Sequence, residues 1–263
     1  MNNQIEEMLS KYNLLTVEEK KHALKEVIQE LLLCSLSKSG FFNKAAFYGG
    51  TALRIFYGLD RFSEDLDFSL LNKDPNFDLT IYFNEIEKTL KSFGLNMVVD
   101  LKRKANDSNV KSAFLKGNTK EHLLRFYNKD IESGVQNDEV LTIKFEVDTN
   151  PYNGFRNEHK YKLQPIPYEV NIFDAPSLFA GKIHAVLFRA WKNRIKGRDL
   201  YDYVFFLSNN AKVNLDLLKN KLIESKYIDE NSDFDVDILI ELLNKRFREI
   251  NYKDAIEDVK PFI

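Results

Sequence analysis

Two aspartates, Asp65 and Asp67, interrupt the apolar character of the stretch EDLDFSLL. Read as a strand over 65–70, this stretch projects positions i and i+2 from one face, so the two carboxylates stand together. They repel each other, and no Lys or Arg within the strand is placed to pair with them. A divalent cation resolves the conflict. Hard oxygen ligands suit Mg²⁺ or Mn²⁺, and Mg²⁺ is typically held by one or two carboxylates together with substrate phosphates. The plainer explanation of D-x-D is a solvent-facing strand edge charged against aggregation. A two-metal site asks for a third carboxylate to complete the clamp. Glu146 is the first candidate, on the polar face of IKFEVD, and Asp148 on the same face is the second. Lys144 adds charge there or pairs with the acids.

The segment YGGT, which holds Gly49, Gly50 and Thr51, lies just upstream, between an apolar run and a helical pattern. Glycines at such a junction let the backbone approach a ligand, and the first N–H groups of the helix point at it, which makes an anion site. A tight turn would use the same glycines. A phosphate cradle followed by paired carboxylates is the layout that nucleoside triphosphate chemistry requires. Farther along, Lys182 and Arg189 are seven residues apart and so share a helix face. From Lys182 to Arg198 there are six Lys or Arg and no Asp or Glu. That run is either a solvated face or a phosphate-binding one.

These residues need elements to hold them. Thr16 and Glu19 form a capping-box pattern ahead of a helix over 17–38, whose Leu24, Val27, Ile28, Leu31 and Leu32 recur at helical spacing. Ala45–Tyr48 reads as a strand and the segment after it as a short helix. Residues 78–92 read as another helix, and GLNMVVDLKRK and VKSAFLKG as two strands of a meander. EVLTIKFEVD alternates at period two, with Ile143, Phe145 and Val147 on one side. YEVNIFDAP gives a last strand, and Pro176 suits the first turn of the next helix. Helices are then expected over 177–192, 198–208, 213–225, 235–248 and 252–259. The expected fold is α+β: a mixed sheet with flanking helices over residues 1–175, followed by a helical domain over 176–263.

The whole chain narrows the options further. Its 263 residues are 44% hydrophobic and 30% charged, ordinary values for a globular protein. A net charge of −2 excludes a uniformly basic nucleic-acid binder, so any such role needs a local patch. The single cysteine, Cys34, excludes an intramolecular disulfide and reads as a core residue. The start lacks signal-peptide character and no apolar run approaches a membrane span, so a cytoplasmic protein is expected. His184 and Phe188 read as packing residues, and His122 and His159 lack metal-ligand spacing.

The stretch GGTALRIFYGLDRFSEDLDF resembles the first motif of the AbiEii/AbiGii toxin family of nucleotidyltransferases, within the DNA polymerase β-like superfamily. IKFEVD resembles the second motif, and KIHAVLFRAWKNRIKGRDLYDYVFFL the third and fourth. The resemblance covers blocks between residues 45 and 208, in order. It implies a nucleotidyltransferase fold, Asp65 and Asp67 as the metal pair, and Ser63 beside the phosphates. It further implies Lys182 on the triphosphate or transition state, and Asp199 as the fourth-motif carboxylate. From the residues alone, a helix cap or a pair with Arg198 explains Asp199 equally well. The implied activity is Mg²⁺-dependent transfer of a nucleoside monophosphate from an NTP to an acceptor hydroxyl. RNA, with the tRNA 3′ end foremost, is the implied acceptor. The implied role is the toxin of a toxin–antitoxin or abortive-infection pair with a cognate antitoxin. For RNA, the basic cluster Lys192, Arg194, Lys196 and Arg198 and the cluster Lys102, Arg103 and Lys104 are expected to flank a cleft. A glycosyltransferase using D-x-D and a non-catalytic nucleotide-binding module are the alternatives. The first predicts alternating βα units, and the second predicts loss of a metal ligand.

Overall fold

The computed structural model describes residues 3–12, 14–102, 108–127, 135–189 and 196–263. Seven strands form one mixed sheet: β1 (Ala45–Tyr48), β2 (Leu66–Leu70), β3 (Val98–Lys102), β4 (Val110–Asn118), β5 (Val140–Asp148), β6 (Asn157–Lys162) and β7 (Tyr168–Phe173). Their order across the sheet is β3-β4-β5-β2-β1-β7-β6. β2 runs antiparallel to β1 and parallel to β5, while β3, β4 and β5 form an antiparallel meander. The helices are α1 (Asn3–Leu9), α2 (Val17–Lys38), α3 (Gly49–Tyr57), α4 (Phe83–Ser92), α5 (Thr119–Tyr127), α6 (Ala175–Phe188), α7 (Gly197–Ser208), α8 (Leu215–Glu224), α9 (Val236–Glu249) and α10 (Tyr252–Val259). No helix among the described residues is long and apolar enough to cross a membrane.

The chain forms two compact units, each interrupted in sequence. The first comprises Met1–Ala52, Phe62–Pro151 and His159–Ile172, and the second Leu53–Arg61, Tyr152–Glu158 and Phe173–Ile263. The single cut expected after residue 175 has no counterpart for the two short segments, 53–61 and 152–158, that the second unit also includes.

In the first unit, α2 starts where the capping box places it. Thr16 Oγ accepts from the Glu19 amide, and the Glu19 carboxylate accepts from the Thr16 amide at 2.7 Å. Leu24, Val27, Ile28, Leu31, Leu32 and Leu33 are all fully buried. A helix apolar on so many sides belongs inside a core, and α2 packs against α1 and α4. On β2, Leu66 and Phe68 are fully buried. The Phe68 ring meets Phe41 edge-on at 4.9 Å and lies 5.2 Å from Phe47. This aromatic cluster fixes which face of β2 is core, since a one-residue slip would bury the carboxylates instead. β5 repeats the logic, with Leu141, Ile143, Phe145 and Val147 buried in alternation.

β6 and α5 lack a sequence signal. β6 reads NEHKYK, is mostly exposed and lies at the sheet edge, where polar side chains discourage further pairing. α5 is a nine-residue helix directly after β4. In the second unit α6 packs on α7, α8 and α9, and α10 packs on α7. α6 is capped by Asp174, whose carboxylate accepts from the Ser177 amide at 2.8 Å, with Pro176 in the first turn.

Candidate functional site

In the first unit a row of four residues crosses the sheet. Tyr48 of β1 is in register with Asp67 of β2, Asp67 with Glu146 of β5, and Glu146 with Ser112 of β4. Register neighbours share a face, so the strand pairing places the carboxylates of Asp67 and Glu146 side by side. Asp65 lies one residue before β2 and is exposed, whereas Asp67 is half-buried.

The local chain is built around this row. Gly49 follows Tyr48 with φ +89°, a left-handed conformation that glycine adopts readily. A Cβ there would lie 2.5 Å from Asp67 Oδ2. Gly49 therefore provides both the turn and the space for the carboxylate. Gly50 is half-buried in the first turn of α3. The Thr51 side chain is fully buried and donates its hydroxyl to the Asp65 carbonyl. That hydroxyl ties the helix start to the carboxylate segment, so Thr51 offers a ligand its backbone rather than its side chain. Gln29 of α2 donates to the carbonyls of Ser63 and Glu64, at 3.0 and 2.9 Å, and holds the approach to Asp65. Ser63 itself is half-buried.

Glu146 accepts from Ser112 Oγ at 2.6 Å and pairs with the Lys144 ammonium. Asp148, the second candidate, is in register with Ser69 and accepts from the Asn150 amide at 2.9 Å, in the turn that ends β5. Among the described residues no three His, Cys, Asp or Glu side chains converge as a ready metal cage. The donor chemistry is nonetheless right for a hard cation. The register brings Asp67 and Glu146 together, Gly49 leaves room for Asp67, and Lys144 already supplies a positive charge to Glu146.

In the second unit, Lys182, Arg189 and Asp199 meet. The Asp199 carboxylate pairs with the Arg189 guanidinium and lies 3.7 Å from Lys182 Nζ. Asp199 thus takes neither Arg198 nor a capping role. Arg198 instead stacks its guanidinium over the Phe262 ring at 4.2 Å.

Sequence reading missed Asp202. It is fully buried and accepts a forked bond from Arg61, with Nε at 2.7 Å from Oδ1 and Nη2 at 2.6 Å from Oδ2. Lys182 Nζ lies 2.6 Å from Oδ2 as well. Burial alone would push the Asp202 carboxyl up, but Lys182 and Arg61 outweigh it and hold the group below the usual carboxylate range. The available signal was the i, i+3 spacing of Asp199 and Asp202 on one face of α7, after a run of cations without acids. Gly197 begins that helix so close to α10 that a Cβ would overlap the Ala255 carbonyl oxygen.

The remaining expectations divide. His184 stacks on Phe188 at 5.3 Å and contacts Ser225 Oγ at 3.1 Å, as a packing residue does. His122 is fully buried, and His159 pairs with Glu169. Lys192, Arg194, Arg103 and Lys104 lie outside the described residues. Lys102 is exposed, and Lys196 and Arg198 are half-buried.

A family profile described as "Nucleotidyl transferase AbiEii toxin, Type IV TA system" matches residues 30–262. Among solved structures, MenT4, a nucleotidyltransferase toxin from Mycobacterium tuberculosis H37Rv, is 15% identical with a TM-score of 0.52. That match covers 98% of this chain and 93% of that one. JHP933 from Helicobacter pylori is 20% identical over 93% of this chain and 96% of that one, with a TM-score of 0.45. No curated protein matches the sequence. The likeness to MenT4 is one of fold, and the family assignment rests on the profile, which spans both the carboxylate row and the Lys182–Asp202 cluster: this chain belongs to the AbiEii family of nucleotidyltransferase toxins of type IV toxin–antitoxin systems.

Proposed function

We propose that the protein transfers a nucleoside monophosphate from an NTP to a hydroxyl of RNA, with the tRNA 3′ end as the acceptor to test first. The acceptor oxygen bonds to the α-phosphorus as the bond to the departing pyrophosphate breaks. The observation that carries this reading is the register of Asp67 beside Glu146 next to the positive-φ turn at Gly49. Asp65, Asp67 and Glu146 would hold Mg²⁺ or Mn²⁺, with Lys144 giving up Glu146 when the cation arrives. Bound there, the metal would neutralise charge on the phosphates and on the attacking and leaving oxygens. The backbone N–H groups from Gly49 to Thr51 cradle the triphosphate, and Ser63 lies beside it. Lys182 and Arg189 would add positive charge for the phosphates, with Asp199 paired to the Arg189 guanidinium. Positioning and charge neutralisation supply most of the rate, as in phosphoryl transfer generally.

The sheet does not favour the glycosyltransferase alternative. Its β1 and β2 are antiparallel neighbours, and β3, β4 and β5 form a meander, not a run of alternating βα units. Incubation with each labelled NTP, Mg²⁺ and total RNA tests the reading. Label on a discrete RNA species supports it. Label on no RNA with any of the four NTPs removes RNA as the acceptor.

A further inference from the structure

Asp202 stands outside the carboxylate row on β2 and β5, and its surroundings ask for a separate explanation. A carboxylate with no exposed surface is costly unless it is paired and hydrogen-bonded. One arginine meets that need: Arg61 is 3% exposed and satisfies both oxygens with a fork. Yet Lys182 Nζ sits on the same carboxylate, at 2.6 Å. The two cations differ in kind. A forked guanidinium is rigid and permanently charged, whereas an ammonium is a point charge on a flexible stem. Arg61 therefore locks Asp202, and Asp202 in turn fixes the end of the Lys182 stem. Asp199, one helical turn earlier on α7, flanks the same ammonium at 3.7 Å. The cluster of Arg61, Lys182 and Arg189 with Asp199 and Asp202 carries three positive charges against two negative ones. The excess belongs on its accessible side, where the Arg189 side chain is 52% exposed.

We propose that Asp202, clamped by Arg61, is the positioning residue for Lys182. It sets where the ammonium stands and leaves the excess positive charge of the cluster for a phosphate chain. Asp202 touches no substrate in this role. The inference rests on the nucleotidyl transfer proposed above, and the experiment separates the two.

A double-mutant cycle on transfer provides the first readout. Asp202→Asn is expected to lower kcat on the order of 100-fold, the scale for a misplaced reacting group, with a smaller change in the KM for NTP. In a Lys182→Met background the same change is expected to cost less than about twofold, because residues acting through one another are not additive. Equal losses in both backgrounds would make Asp202 a structural residue only and overturn the proposal. Asp202→Asn leaves Arg61 buried without its charge partner, so Arg61→Gln/Asp202→Asn is made alongside it, removing both charges together. That double variant is expected to fold and to lose kcat to the same extent, and wild-type kcat in it would also overturn the proposal.

The second readout does not depend on activity. In protein labelled with ¹⁵N-lysine, a protected Lys182 ammonium resonance is expected, identified by its loss in Lys182→Met. Asp202→Asn should broaden it into solvent exchange, and an unchanged resonance would contradict the positioning role. A wild-type protein that transfers no nucleotide defeats the proposed function, while this resonance still decides what holds Lys182.

Discussion

Gly49, Asp67 and Glu146 are where single atoms matter most. Asp65→Asn and Asp67→Asn should each abolish transfer while leaving thermal stability unchanged or slightly raised, because one of two repelling charges is removed. The stabilisation gained on adding Mg²⁺ and NTP should disappear with the activity, which a melting curve with and without the ligands checks. Full activity in either variant would remove that carboxylate from the site. Glu146→Gln should be more damaging than Asp148→Asn. Glu146 is the register partner of Asp67, whereas Asp148 accepts from the Asn150 amide where β5 ends. Rates in the opposite order would move the third ligand to Asp148. The glycines at a strand-to-helix junction and Asp67 on a strand were legible from residue type and spacing, whereas the role expected of Lys182 came from the family resemblance. The buried Thr51 hydroxyl on the Asp65 carbonyl and the Gln29 bonds to Ser63 and Glu64 were not. Threonine and glutamine have many surface uses, and only the tertiary partner reveals this one.

At the scale of elements, α7 depends on a close approach. Gly197→Ala would drive a methyl group into the Ala255 carbonyl and push α10 off α7. A loss of about 1–3 kcal/mol is expected, the usual cost of overpacking, measurable by urea denaturation. No change in stability would mean that α10 yields freely. α6 carries a pH dependence. His184 is pushed down to about 4 from its ordinary 6.5, first by burial and then by the charges of Lys221 and Arg189. The unfolded chain therefore binds this proton more readily than the folded one. The His184 contribution is fully present above pH 6.5 and is lost as the pH falls from there towards 4. His184→Phe keeps an aromatic ring against Phe188 and should flatten that part of the melting-temperature profile. A profile identical to wild type would place the titration elsewhere. Elements with strong local signals were readable in advance: α2 has a capping box and apolar repeat, and β5 a strict alternation. β6 and α5 were not: an exposed edge strand has no apolar face to alternate, and α5 begins directly where β4 ends. Asp202 escaped for a related reason, since its burial comes from α7 packing and not from its own sequence neighbours.

At the scale of the whole molecule, a net charge of −2 gives RNA no general attraction, so an RNA acceptor would need a local patch. Neutralising Lys192, Arg194 and Lys196 together should weaken RNA binding across sequences. It should also flatten the salt dependence by about 0.7 in logarithmic slope for each lost phosphate contact to single-stranded RNA. NTP binding should remain nearly unchanged. Unchanged labelling of RNA at physiological salt would reduce the cluster to a solvated surface, and a fall in NTP affinity would assign it to the donor. The central claim, that the Asp67–Glu146 row directs nucleotidyl transfer, is tested most directly by the position of the label in the NTP. Wild-type protein with Mg²⁺ and total RNA should place label from the α-phosphate on RNA and release label from the γ-phosphate in pyrophosphate, and Asp67→Asn should do neither. Label from the γ-phosphate on RNA, or α-label incorporated equally well by Asp67→Asn, would contradict it.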